Sequence, residues 1–349
     1  MRGLFLSAFS LLDAFIGVLL QCVFAAKPDV LDAIQKPITL REIKGLRTLR
    51  DVRQSIITQE IDSFRRDSYV KQFDSLETRF GLSLKSYPNW PPFVETAMRR
   101  NLFAHADGIV SAQYLHVCRA EGLPHNLCSH AIGDPLPLTP HYLRDVLCLV
   151  YETGLRLGHS LWRKMAPDEL DNSDVALIRT QYDLIAEERY ELARAVGDFA
   201  LQCSPHHSQV NSNILLINAA QTRKWQGQED AAQALLQSRD WSSDMTDFRL
   251  AVAVLHDDYD KAAGLMRALG TKGELVTRDS YATWPLFKRF IATNHFRQAF
   301  KEIYGHDFSQ QVRDQVNAAE TATTKASQAE LRPTHVAPRR RRQAPTPTT

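Results

Sequence analysis

"RRNLFAHADGIVSAQYL", residues 99–115, places an arginine and a histidine five residues apart inside an amphipathic helical pattern. Its apolar positions recur at three- and four-residue steps, the period of a helix with one buried face. Gly108, just past His105, suits a helix end or a close backbone approach. At 100° per residue, Asn101 and His105 lie only about 40° apart on that helix, whereas Arg100 and His105 lie about 140° apart. Asn101 is therefore placed to contact the imidazole within one chain. Arg100 needs its full length, or a second copy of the helix, to share a site with it.

The same helical period extends in both directions. Upstream, residues 4–26 form an apolar helix stopped by Lys27-Pro28, since proline cannot continue the hydrogen-bond ladder. Residues 39–81 give two or three charged amphipathic helices with Gly81 as a C-cap. Downstream of the motif, Thr139-Pro140 makes an N-cap and first-turn pair for a long helix reaching about Met165. Alternating runs bounded by turn residues are scarce, so the expected fold class is all-α.

The polar, acidic "APDELDNSD" at 166–174 reads as a linker between a first domain, 1–165, and a second, 175–308. In the second, "NAAQTRKWQGQEDAAQALLQ", "RLAVAVLHDDYDKAAGLMRA" and "FKRFIATNHFRQAFKEIYG" each give a helix, a break and another helix with small residues facing inward. Aligning Ala231, Ala262 and Ala299 gives spacings of 31 and 37 residues. That is near the ~34-residue tetratricopeptide period, and the region resembles such a helical-hairpin array, without most of the family's aromatic and proline positions. Residues 309–349 turn to Gln, Ala, Thr and Pro with Arg339 to Arg342 as a basic run, the composition of a disordered tail.

With 42 Lys and Arg against 40 Asp and Glu, the net charge of +2 gives no global field that would draw in nucleic acid. Local patches must supply any such affinity. Five cysteines at irregular spacing argue against a disulfide framework and fit a reducing compartment. The N-terminus competes with that reading, because its basic start, apolar run and small residues around Ala25 also suit a secretory signal. Asp13 in the middle of the run favours a helix of the folded domain, with no membrane span and a cytoplasmic location.

The motif is similar to that of the HEPN superfamily, whose R-x4-H signature is an arginine, a polar residue, three variable positions and a histidine. Arg100, Asn101 and His105 fill those positions. "LLDAFIGVLL", "KPITLREI", "FDSLETRFGLSL" and "IGDPLPLTPHYLRDVLCLV" flank the motif in the order of such domains, so the resemblance covers roughly residues 3–165. It assigns the apolar N-terminus to the first helix of the domain. It also implies a metal-independent endoribonuclease acting on RNA as a homodimer, with Arg100 and His105 catalytic, Asn101 supporting, and no cofactor or metal. Histidine titrates near neutrality and can move the protons; arginine presents a charged planar fork to phosphate oxygens. A role in a defence or toxin system follows from the superfamily alone.

Two other readings stay open. One is a non-catalytic scaffold, in which the first domain and the helical array bind protein partners; the other is nucleotide transfer to or by a partner, with Arg100 and His105 on a phosphate. His116, Cys118, His125, Cys128 and His130 cluster, but their spacing matches no usual zinc pattern, so Cys118 reads as a core residue and the histidines as loop surface. Cys203 with His206 and His207 is weaker still. The phosphate-binding Walker loop, the dinucleotide glycine fingerprint, G-x-S-x-G and H-E-x-x-H do not occur in the sequence.

Overall fold

The computed structural model describes residues 1–32, 39, 44–124 and 130–308. Among them are fifteen α-helices and no strand, so the chain is all-α. The tail 309–349, with Arg339 to Arg342, lies outside the described residues, as do His125 and Cys128. The chain divides into two compact units, Met1–Leu235 and Leu236–Thr349.

In the first unit, α1 (Arg2–Ala26) ends at Lys27 as Pro28 requires. It buries Phe5, Phe9, Leu12, Ile16 and Leu20. After a single turn, α2 (Asp29–Asp32), α3 (Leu49–Arg66) begins with a reciprocal capping box between Thr48 and Asp51. α4 (Tyr69–Phe80) ends at Gly81 in the left-handed region. α5 (Trp90–His105) is the motif helix and α6 (Ala112–Ala120) follows it. The long α7 (Pro140–Met165) starts where Thr139 Oγ1 accepts from the Tyr142 amide. These helices surround one core in which the rings of Phe9, Tyr69, Phe73, Trp90 and Phe93 meet in tilted and edge-to-face contacts. Asp13, out of place in an apolar run, accepts from Tyr69 Oη at 2.6 Å.

Among the described residues, one helix, α1, is long and apolar enough to cross a membrane. Its inner face belongs to the core just described.

The expected linker is not one. Residues 167–169 form a 3₁₀ turn and α8 (Leu170–Ala186) starts immediately after it, with Ser173 and Asp174 fully buried. Asp174 pairs with Arg163 Nη1 at 2.6 Å and accepts from His206 Nδ1 at 3.0 Å and from the His207 amide at 2.7 Å. An acidic composition that suggests solvent is here satisfied internally. The division between the units falls some sixty residues later, inside the helix Glu229–Gln237.

α8 packs with α9 (Tyr190–Gln202) and α10 (Gln209–Trp225) around Leu177, Val196, Phe199 and Leu215. α11 (Glu229–Gln237) follows α10 after the turn at Gly227. In the second unit α12 (Thr246–Leu255) and α13 (Tyr259–Leu269) form a hairpin, followed by the short α14 (Arg278–Thr283) and by α15 (Asn294–Tyr304). Two details differ from the expected array. Ala262 and Ala299 are buried, but Ala232 rather than Ala231 faces inward. The first arm of the third hairpin is a pair of 3₁₀ turns, Pro285–Lys288 and Phe290–Ala292, because Pro285 interrupts any longer helix there.

Candidate functional site

Pro91 and Pro92 open α5, at positions whose amides have no partner inside a helix in any case. Along α5 the two adjacent arginines diverge. Arg99 turns inward: Nε donates to Glu95 Oε1 at 2.7 Å, Nη1 to the Pro137 carbonyl at 3.2 Å, and the guanidinium lies 4.1 Å from the Tyr142 ring centroid. Glu95 also accepts from Tyr114 Oη at 2.6 Å and Tyr142 Oη at 3.0 Å. Burial works against the charge on Arg99, yet Glu95 at its side holds its pKa above the ordinary value. Both tyrosine hydroxyls are pushed well above their usual range by burial and by the same carboxylate. This network fastens α5 to α6 and α7 and has no open side.

Arg100 is the arginine left partly open. Its Nη1 donates to Asn101 Oδ1 at 3.0 Å, and its Nη2 lies 3.8 Å from Asp13 Oδ2, with 29% of the side chain exposed. Asp13 is also held by Tyr69, whose hydroxyl is raised far out of its normal range by burial and then by that hydrogen bond.

His105 is the last residue of α5 and is exposed. The chain then turns through Asp107 and Gly108, both at positive φ, and the amides of Ala106 and Gly108 both donate to the Leu102 carbonyl. A Cβ at Gly108 would sit 2.7 Å from the Phe103 ring, so only glycine fits both the backbone and the space. Arg2, at the start of α1, donates to the Phe103 carbonyl and pairs with Asp107, which caps the end of the motif helix. The Leu136 amide donates to the Gly108 carbonyl and fixes the loop beyond.

The side chains of Asn101 and His105 line one groove of about 500 Å³ between the start of α4, α5 and α6. Arg100 is not among its lining residues; it turns to α1 instead. The helical spacing is thus observed: one chain brings Asn101 and His105 to a common groove and does not bring Arg100 to it. Asn101 Oδ1 accepts from Arg100 Nη1, which ties these two motif side chains together.

His116 was expected on a loop. It stands instead on α6, exposed, and lines the same groove as His105, with Lys71 and Gln113 beside it. Nothing in the sequence pairs these histidines, because the groove exists only once α6 folds back against α5. Cys118, as expected, is a buried core residue.

No family model, no curated protein and no solved structure matches the chain. The similarity to the HEPN motif therefore rests on Arg100, Asn101, His105 and their flanking segments.

Proposed function

We propose that the chain is a metal-independent endoribonuclease that acts on RNA in the cytoplasm as a homodimer, with Arg100 and His105 in the catalytic role and Asn101 in support. The observation that supports this most directly is the exposed imidazole of His105 at the helix end, sharing a groove with Asn101, beside the one arginine of the pair that the core leaves partly open. A role in defence, or as a toxin, goes with the same reading.

The chemistry needs two proton movements. A neutral imidazole takes the proton of the 2′-hydroxyl while the 2′-oxygen bonds to the adjacent phosphorus. As the bond from phosphorus to the 5′-oxygen breaks, a protonated imidazole delivers a proton to that oxygen. Arg100, always charged, stabilises the extra negative charge on the non-bridging oxygens. The products carry a 2′,3′-cyclic phosphate and a 5′-hydroxyl. Two copies of α5 facing each other would supply both imidazoles and would set the Arg100 of one copy near the His105 of the other.

The test is cleavage of total RNA in EDTA by the full chain, with the ends of the products identified by mass. His105→Ala and Arg100→Ala should each lower the rate by roughly 10²- to 10⁴-fold. His116→Ala should stay within about tenfold of the natural chain if the second imidazole comes from a second copy. An equal loss there would move the second proton transfer to His116. Cleavage that survives both motif substitutions would overturn the assignment.

A further inference from the structure

α1 is apolar on two sides, whose centres lie about 130° apart at 100° per residue. Phe5, Phe9, Leu12, Ile16 and Leu20 point into the core. Leu4, Leu11, Phe15, Val18 and Cys22 fall within about 60° of one another on the other side at 100° per residue. All five are exposed, Leu11 at 71%, Leu4 at 65%, Val18 at 59% and Phe15 at 42%. With Ala8, itself buried, they repeat at alternating three- and four-residue steps, the seam of a helix that packs along a second helix.

α7 widens this seam into a face. The two helices run in the same direction, since Phe5 meets Tyr142 while Phe15, further along α1, meets Gly158. A Cβ at Gly158 would come within 3.2 Å of the Phe15 ring, so the missing side chain sets how closely the helices approach. Between them lies an open groove of about 800 Å³, with Leu147 and Tyr151 exposed at its edge at 46% and 42%.

The chemistry of the face selects its occupant. Its exposed side chains offer on the order of 600 Å² of apolar surface, at the upper end of what a monomer usually leaves open. That approaches the ~800 Å² per partner of a standard interface. A lipid surface would call for cations flanking the apolar stripe. The only cation of α1, Arg2, is engaged with the Phe103 carbonyl and Asp107. Nor does the stripe carry a charge that would select a foreign partner, whereas a heptad seam is complementary to itself.

We propose that two copies of the chain associate through this face, the exposed seam of α1 against its own counterpart, with side chains entering the groove beside α7. Asp13, which Arg100 approaches, lies about 140° to 160° around α1 from Leu11 and Val18. The motif groove shares no lining residue with the groove beside α7, so the contact leaves it open. This contact is distinct from the pairing of motif helices that the ribonuclease reading uses, and it stands whether or not that reading does.

Sedimentation equilibrium of the full chain at tens of micromolar tests this. Leu11→Glu and Val18→Glu alter side chains already exposed and should leave helicity and melting temperature unchanged, yet each should halve the mass of the assembly and weaken association at least ~10-fold. Ile132→Glu, at an apolar residue 66% exposed and off this face, should behave as the natural chain. A natural chain that sediments as a monomer, or an assembly whose mass neither seam substitution changes, would overturn the proposal. So would a monomer that floats with neutral phosphatidylcholine vesicles. His105→Ala removes cleavage without touching the mass, so the two proposals fail separately.

Discussion

Arg99 and Arg100 show how one residue type takes two roles from its helical phase alone. Arg99 shares its side of α5 with Glu95, one turn earlier, and that side faces the core. Removing Glu95 would leave a buried guanidinium without its carboxylate and two buried tyrosine hydroxyls without an acceptor. Glu95→Ala should therefore destabilise the fold by roughly 3 to 5 kcal/mol. Arg100→Ala breaks only a partly exposed pair and should cost no more than about 1 kcal/mol. Urea unfolding of the two variants checks the contrast; similar losses would mean that Arg100 too is structural. The pairing of Asn101 with His105 in one groove was legible from 100° per residue, since both stand on a single helix. His116 was not, because its place in the groove depends on how α6 packs against α5.

Helix ends are where sequence and structure agree best at the level of elements. Lys27-Pro28, Gly81 and Thr139-Pro140 act through their own backbone and close neighbours, so local chemistry decides them. Ala166 to Asp174 depends on partners 11 and 32 positions from Asp174, at Arg163 and His206, which no local pattern reveals. The hairpin turns after α8, α10 and α12 share one closure: Glu188, Gly227 and Asp257 at positive φ, each followed by an amide that donates to the carbonyl five residues back. Two of the three lack glycine, which hid the common turn. Gly227 has open space where a Cβ would go. Gly227→Ala should then cost only the backbone strain, about 1 kcal/mol. Gly108→Ala adds a clash with Phe103 and should cost about 2 kcal/mol or more, while displacing the chain just beyond His105. Thermal melts rank the two, and a larger loss at Gly227 would contradict the shared-turn account.

At the scale of the whole molecule, two groups of the first unit, His159 and Asp174, tie its stability to pH. His159 of α7 sits against Ser173, with Nδ1 3.0 Å from Oγ; burial, and then the nearby Arg163, lower its pKa from 6.5 to about 4. A histidine kept neutral in the folded state binds its proton more readily once unfolded. Stability is therefore complete above pH 6.5 and falls as the pH drops towards 4, by up to about 3 kcal/mol. Below that range the neighbouring Asp174 takes over. Burial pulls its pKa up, but hydrogen bonds from His206, Arg163 and the His207 amide outweigh this and hold it below 3.8, so its contribution is lost only on stronger acidification. Both groups lie in Met1–Leu235. Lowering the pH from 6.5 to 4 should thus bring the melting of the first unit down first. The second unit, followed by Trp241 and Trp284, should hold its midpoint more closely. His159→Gln should flatten the dependence over that window and leave the steeper loss at lower pH in place. Equal shifts of both transitions, or an unchanged slope in the variant, would place the acid-sensitive groups elsewhere in the chain.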